Sequence, residues 1–482
     1  MPEKGSKHLQ YLAVSAANLN TIACGAVLGW TSPVLPKLQE NNPVSPDNPL
    51  GRPITKEEGS WIGSLAPLGI MLGSLVSAYL AERAGRKRAL LISAVPLILG
   101  WIVLGTATSI HQMYAGRLIL GFGLAICFTT VPMYTGEIAE VSIRGTLGSF
   151  MQLFITIGFL LSYSIGPFAS YTVFWLFCVS LYVIFFLCFA FMPESPYFLV
   201  SQGQHFMAAQ ALARLRSRSL DDVSKEIEEI QEEIVNASSH ETSWREALRD
   251  RIDRKSVLIM VCMICFVELM GIDVVLFYAE DIFRNAGASN TAVSAIIVGL
   301  VQMLATLLTS VVVDRSGRKI LLLVSSVGAG VTVGILGVYF YLQKLEYDLS
   351  EVTWIPLATL VVYILVYSLG WGPLPWVVMG EIFAPGVKSK ASALCVLSIN
   401  TLSFLLTKFF TNVEQTFGAH ICFGFFAFCC ALEIVFVMSV VPETKGKTLV
   451  EIQRKLGRRS EASRQGSEFR NEIFIGSQES RF

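Results

Sequence analysis

Two carboxylic acids, Glu268 and Asp273, stand in an otherwise apolar stretch of this 482-residue chain. Acids within apolar segments are costly and are usually functional or paired. Here they could accept hydrogen bonds from a polar solute, carry a proton, or settle into local hydrogen bonds. A second set of charges occurs twice. Glu82-Arg83-Ala84-Gly85-Arg86-Lys87 reappears as Asp314-Arg315-Ser316-Gly317-Arg318-Lys319, and Glu137, Arg144, Glu194, Glu381, Lys388 and Glu443 lie in neighbouring polar segments. Guanidinium groups suit bidentate pairing with carboxylates. Such pairs could latch two parts of the molecule in one state. No nucleophile–base arrangement, metal-ligand cluster or phosphate loop accompanies them, and Gly116–Gly123 lacks the strand context of a nucleotide fold. The reading is therefore not an enzyme, with no cofactor and no metal.

These charges must be positioned by a very apolar chain. Counting Gly, about 61% of the residues are apolar and 15% are charged. Soluble domains have about 45–50% and about 25%. Lys+Arg and Asp+Glu both number 37, so no electrostatic footprint for nucleic acid is suggested. A spanning helix needs about 20 mainly apolar residues. Twelve candidates fall near 11–35, 59–81, 89–109, 113–134, 147–167, 171–192, 256–278, 291–313, 320–342, 354–379, 390–412 and 420–441. The runs are too long, and too free of alternation, for barrel strands. The N-terminal run lacks a cleavage site of small residues and reads as a retained span. The ten cysteines lie in apolar runs and read as packing residues, Cys262 and Cys265 included.

Twelve spans put both termini on one side. That side carries 30 of the 37 Lys+Arg, counting Lys390 at the edge of its span, against 5 on the other. The positive-inside rule makes the terminal side cytoplasmic. Segment 193–255 interrupts the pattern. Ile227, Ile230 and Ile234 share one helical face there, and Ala208–Arg218 forms a second amphipathic piece. Both read as a connector docked under the membrane domain. The sequon at Asn236 falls on this cytoplasmic loop and should go unused. The repeated motifs, with Pro193-Glu194-Ser195-Pro196 echoed by Pro442-Glu443-Thr444-Lys445, imply duplication. The expected organisation is a six-helix half at 1–192, a helical linker at 193–255, a second six-helix half at 256–441 and a cytoplasmic tail at 442–482.

Several motifs then occur together and in order: Gly116-Arg117, Val131-Pro132-Met133-Tyr134-Thr135-Gly136-Glu137-Ile138, Arg144-Gly145-Thr146-Leu147, Gln152-Leu153 with Gly158, Pro193-Glu194-Ser195-Pro196-Tyr197-Phe198-Leu199, Gly370-x-Gly372-Pro373-x-Pro375-Trp376 and Pro442-Glu443-Thr444-Lys445-Gly446. With these the chain resembles the sugar porters of the major facilitator superfamily, among them animal facilitative glucose transporters and insect trehalose transporters, over roughly residues 11–455. The resemblance implies an all-α membrane protein of twelve helices in two homologous halves, with a midplane substrate site and alternating access. It places Gln152, Ile155, Trp376 and Asn400 at sugar-binding positions, with Gln302 where the family has an asparagine. Amides suit sugar hydroxyls because they both donate and accept. Tyr278 matches a gating tyrosine, and Pro373 and Pro375 should break span 10. Arg117 matches a structural arginine. Lys408 and Glu433 have no assigned place.

The second half departs from the family. Span 7 reads Val267-Glu268-Leu269-Met270-Gly271-Ile272-Asp273 where the family has Gln-Gln-Leu-Ser-Gly-x-Asn. Ser368, Thr401 and Phe404 also replace family residues. Glu268 and Asp273 lie about 140° apart on an unbroken helix, so they can share a cavity only if Gly271 lets the helix unwind. Proton-coupled relatives carry an Asp on span 1, where this chain has Gly29-Trp30-Thr31-Ser32. The expectation is facilitated diffusion of a sugar, a hexose or a disaccharide such as trehalose, in the plasma membrane. Its alternatives are proton-coupled movement of a sugar or other polar solute through Glu268, and a non-transporting solute sensor. The expected partners are the small-molecule substrate and the lipid bilayer. The sequence fixes no oligomeric state.

Overall fold

The computed structural model describes residues 7–40, 47–140, 142–239, 249–287, 290–312, 317–383, 385–444 and 451–452. Most of the expected tail, with Asp314, Arg315 and the Lys388 side chain, lies outside the described residues. Among the described residues twelve helices are long and apolar enough to cross a membrane. Spans 1 to 6 are His8–Gln39, Lys56–Ala84, Arg86–Gly105, Ile110–Ile138, Arg144–Ile165 and Tyr171–Phe189. Spans 7 to 12 are Arg251–Phe277, Thr291–Thr309, Arg318–Lys344, Ser350–Ile382, Lys390–Phe417 and Ala419–Ser439. The expected spans are all present, and several helices run further than the apolar count suggested. The span 4 helix, Ile110–Ile138, takes in polar ends that its own hydrogen bonds carry on.

Backbone groups in hydrocarbon must be satisfied within the protein, which makes helices the natural solution for these runs. Their ends are set by capping residues. Thr55 and Glu58 form a reciprocal capping box at span 2. Ser109, Ser170 and Asp250 accept first-turn N–H groups of spans 4, 6 and 7. Large apolar side chains such as Leu75, Leu187, Leu258, Val331 and Val435 are exposed, as expected for a surface facing lipid rather than water. All ten cysteines are free and seven are buried.

Spans 1 and 5 cross at Gly25 and Gly158. A Cβ on Gly158 would lie 2.1 Å from the Ile22 carbonyl oxygen, and one on Gly25 would lie 2.2 Å from that of Ile155. Small residues permit this backbone approach. The crossing fixes the span 5 face that carries Gln152 and Ile155. Arg117, fully buried, joins three spans: its Nε donates to the Ile62 oxygen at 3.0 Å and its Nη1 to the Val27 oxygen at 2.8 Å, beside the Trp30 ring. That is the structural part the resemblance implied.

The connector folds into helices Pro196–Ser201, His205–Arg216 and Ser224–Ser239 around a short 3-10 turn. Ile227 and Ile230 are buried with Leu199, Val200, Ala208, Leu212 and Val223, and Ile234 packs at the edge, so the expected apolar face is used within the connector itself. Buried Arg216 ties it to the first six spans, pairing with Glu226 at 2.7 Å and donating to the Ile138 oxygen at 2.8 Å.

The Gly158 crossing carries a prediction. Gly158→Val should overpack spans 1 and 5 and cost about 1–3 kcal/mol, seen as a lower unfolding temperature in detergent. Gly424→Ala, where an added Cβ meets nothing within 4 Å, should match or exceed the parent chain.

Candidate substrate site and gates

Span 7 is broken as its glycine suggested. One helix ends at Leu269, Gly271 takes φ +88°, and a second helix runs Ile272–Phe277. A side chain at Gly271 would be strained by that φ and would strike the Phe426 ring at 2.7 Å. The Tyr363 hydroxyl donates to the Met270 carbonyl at the break at 3.1 Å. The consequence is local: Glu268 and Asp273, on either side of the break, become interacting neighbours. Asp273 is half-buried and also accepts from the Ser403 hydroxyl of span 11. Glu268 is buried, and its Oε2 has no partner among the described residues.

Span 10 is broken too. Helix Ile355–Leu369 gives way at Gly370–Pro373 to helix Leu374–Ile382, with Pro375 in its first turn, as the two prolines predicted. Thr309 donates to the freed Ser368 carbonyl at 2.8 Å, and the Trp371 N–H finds the Ser325 hydroxyl at 3.4 Å. Trp376 follows with 40% of its surface exposed. Gln152 and Ile155 are half-buried. Asn400 is half-buried and turns back to donate to the Val396 carbonyl at 2.8 Å. Gln302 is buried with Oε1 unpartnered. Among the described residues no hydrogen bond joins these four polar side chains to one another. The structure thus brings the two acids together and leaves the amides and Trp376 separately placed.

The named contacts between the first six and last six spans cluster at the face remote from the termini. The Tyr163 hydroxyl of span 5 donates to the Leu276 carbonyl of span 7 at 2.6 Å. The Tyr278 hydroxyl donates to the Thr407 carbonyl at 3.0 Å and lies against Gly63 of span 2, where a Cβ would stand only 2.6 Å from it. Lys408, unplaced by the sequence, reaches from span 11 to Glu57 at 2.6 Å and the Ser60 hydroxyl at 2.9 Å, 4.6 Å from the Trp61 ring centroid. The Glu280 N–H donates to the Ser32 hydroxyl of span 1 at 3.3 Å. Glu57, Ser403 and Glu280 join the candidate site without having stood out in the sequence. Lys408 in an apolar run was a signal, but its partner lies 351 positions away.

Glu280 is buried between span 1 and the end of span 7. Burial pushes its carboxyl up to about 7, while Arg284 opposes the shift. Burial also raises the neighbouring Asp281.

On the terminal face the duplicated motif builds one arrangement twice. Arg86 pairs with Glu137 at 2.8 Å, Glu137 accepts from the Ser195 hydroxyl, and Glu194 accepts the Lys87 N–H at 2.9 Å. Arg318 pairs with Glu381 at 3.2 Å, and Glu443 accepts the Arg318 and Lys319 N–H groups, both at 3.1 Å. Each glutamate that follows six spans therefore sits at the N-terminus of a long helix, where the dipole favours negative charge. These pairs join helices of the same six-span group. The latch expected between groups is not what these particular pairs form, because their partners lie side by side within a group. Glu82, Arg83 and Arg144 are exposed, with Arg83 over the Tyr79 ring.

Twelve helices long and apolar enough to cross a membrane, set around interior polar groups and touching across one face, define a helical membrane protein. Residues 17–456 match the sugar (and other) transporter family, and the chain belongs to that family. It is 34% identical to the facilitated trehalose transporter Tret1 of Anopheles gambiae, with 93% of this chain covered and 56% of the relative. To Tret1 of Culex quinquefasciatus it is 33% identical, covering 93% and 86%. The chain thus spans little more than half the length of the Anopheles relative and most of the Culex one. Among solved structures, the partially occluded inward open xylose transporter XylE of E. coli matches with TM-score 0.77 at 23% identity, covering 92% of this chain and 100% of that one. The XylE proton:xylose symporter bound to 6-bromo-6-deoxy-D-glucose matches with TM-score 0.74 at 25% identity, covering 93% and 99%.

Two predictions concern the sealed face. Glu57 is half-exposed, so losing the Lys408 pair should cost about 1 kcal/mol, moving the balance between closed and open faces about fivefold. Lys408→Glu should lengthen the distance between spin labels at Thr108 and Glu351 in a cysteine-depleted chain, and adding Glu57→Lys should restore it. Glu280 gives a pH dependence. Its carboxyl is raised in the closed face from the ordinary 4.5 to about 7. Closure is therefore fully favoured below the ordinary value and is lost as pH rises toward 7. The same labels should report closure on acidification across that window, and Glu280→Gln should flatten the response.

Proposed function

We propose that this chain moves a sugar across a membrane by alternating access between its two six-span groups, as facilitated diffusion. The observation that carries this reading is a set of interior polar groups, on spans broken at Gly271 and Gly370–Pro373, behind a face closed by Tyr278 and the Lys408–Glu57 pair. Opening that face while closing the terminal one would expose the same groups to the other side. The relatives named as facilitated trehalose transporters support a disaccharide or hexose. The units of the cycle are the halves 1–192 and 256–441, with the connector 193–255 and the tail 442–482 on one side. The 30-to-5 partition of Lys+Arg supports a cytoplasmic location for that side and for both termini. The plasma membrane is the proposed site of action.

Gln152, Ile155, Gln302, Trp376 and Asn400 are the proposed sugar contacts, with Tyr278, Pro373 and Pro375 as gating residues. The arginine–glutamate arrays on the terminal face would steady each half as a unit during rocking. A second reading, a polar solute other than a neutral sugar, is favoured by Glu268 and Asp273 standing where the resemblance has amides.

Reconstituted vesicles test both. Labelled trehalose or glucose should exchange saturably in counterflow, and Gln152→Ala or Trp376→Ala should reduce the rate about tenfold, the scale of one to two lost hydrogen bonds. Exchange of a labelled organic cation with no sugar exchange would overturn the sugar reading.

A further inference from the structure

At the face remote from the termini lies a cavity of about 460 Å³. None of the proposed sugar contacts lines it. Its walls come from the ends of spans 9 and 11, the start of span 12, and Asn285 of the helix that follows span 7. Gly418, at φ +98°, turns the chain between spans 11 and 12, so that Glu414 and His420 line the same space. One wall belongs to the other six-span group. Lys56 opens span 2, next to the Glu57 that holds Lys408. Because its walls come from both groups, the cavity is complete only while they touch across this face.

Volume and chemistry define the occupant. Small-molecule sites run to about 300–1,000 Å³ and carry a few convergent polar groups on apolar walls. Phe340 and Phe417 supply apolar surface here. The charged groups are of both signs: Lys56 and Lys344 are cationic, and Glu414 is a carboxylate. An anion would meet the Glu414 charge, and a cation would meet two lysines. A neutral molecule rich in hydroxyl groups suits both signs, since each hydroxyl donates and accepts. The side chains have bonding capacity to spare. Asn285 donates to Glu414 Oε1 at 2.8 Å, and a carboxylate accepts more than one such bond. Of the three N–H donors of Lys344, the Phe417 carbonyl takes one, at 3.4 Å. The amides of Gln343 and Gln415 add uncharged donors and acceptors rather than further charge, which favours a sugar over a zwitterion.

We propose that this cavity is a second sugar site, apart from the transport path, whose occupant clamps the face closed. A mono- or disaccharide there would bond Lys56 of the first group and Lys344, Glu414 and His420 of the last. Opening the face parts those walls and abolishes the site. Sugar on that side therefore favours the closed face, by about tenfold at ten times its dissociation constant. The clamp slows entry at high concentration and leaves the final balance unchanged, as facilitated diffusion requires. Its effect on rate rests on the transport reading above; the site and the closure do not.

The test uses the full chain in nanodiscs, where both faces are accessible and no transport is read. A cysteine-depleted chain carrying Gln415→Cys is modified with a water-soluble maleimide. Trehalose or glucose at ten times its dissociation constant should slow the reaction about tenfold. Inorganic phosphate, choline and phosphocholine should not. Gln152→Ala, in the transport path, should keep the protection, and Lys344→Ala with His420→Ala should remove it. Protection by phosphate, choline or phosphocholine but by neither sugar overturns the sugar occupant. No protection by any probe, protection that Gln152→Ala abolishes, or protection that the double variant keeps overturns the site. In a second chain, spin labels at Thr108 and Glu351 read the clamp. Trehalose should shorten their distance even with Gln152→Ala, and Lys56→Ala should weaken that response. Protection with unchanged distances upholds the site and overturns the clamp.

Discussion

In hydrocarbon, a backbone polar group without a partner costs several kcal/mol, and no water is present to supply one. That constraint explains the twelve helical spans. It also explains why the interruptions are few and why each is provisioned. At span 7 the Tyr363 hydroxyl covers the Met270 carbonyl, and at span 10 Thr309 and Ser325 take up the groups freed beside Gly370. Irregular backbone at this depth belongs where a cavity or a moving part needs it. Both breaks lie next to the candidate site residues, and the one at Gly271 creates the Glu268–Asp273 pair.

The two faces of the molecule are held by different physics. On the terminal face, carboxylates cap long helices and pair with arginines inside each six-span group. These contacts need not change when the groups rotate. On the opposite face, a few contacts cross between groups: the Tyr163 hydroxyl on a backbone carbonyl, Tyr278 against Gly63, and a lysine on a glutamate and an aromatic face. Such contacts are individually worth little, which suits surfaces that must part and reform. Buried Glu280 adds a titratable element to the same seam.

Much of this fold is legible in the amino acids alone. Apolar run length yields the spans, and the repeated acid-Arg-x-Gly-Arg-Lys motif points to an arrangement that the structure indeed shows twice. The Ile227–Ile230–Ile234 stripe is a working apolar face, and Gly271, Pro373 and Pro375 mark real breaks. Local chemistry accounts for these successes, since helix length, periodicity and backbone conformation are set within a few residues. The sequence was less informative about partners. It let the terminal-face charges latch two parts of the molecule, whereas Arg86–Glu137 and Arg318–Glu381 each pair within one six-span group, because charge and spacing do not say which of several nearby carboxylates a guanidinium meets.

Glu268 and Asp273 mark the boundary between the two sources of information. Their identity, their apolar setting and the glycine between them are sequence facts. Whether they face one another depended on the φ of Gly271, which Phe426 and Tyr363 hold from other spans. Likewise, Lys408 was conspicuous in the sequence, but only the approach of spans 2 and 11 supplied Glu57. The sequence by itself determined the membrane architecture, because hydrophobicity is additive along the chain. The pairing of charges was decided by tertiary structure alone, because a charge is satisfied by whatever lies within about 4 Å of it, however distant in sequence.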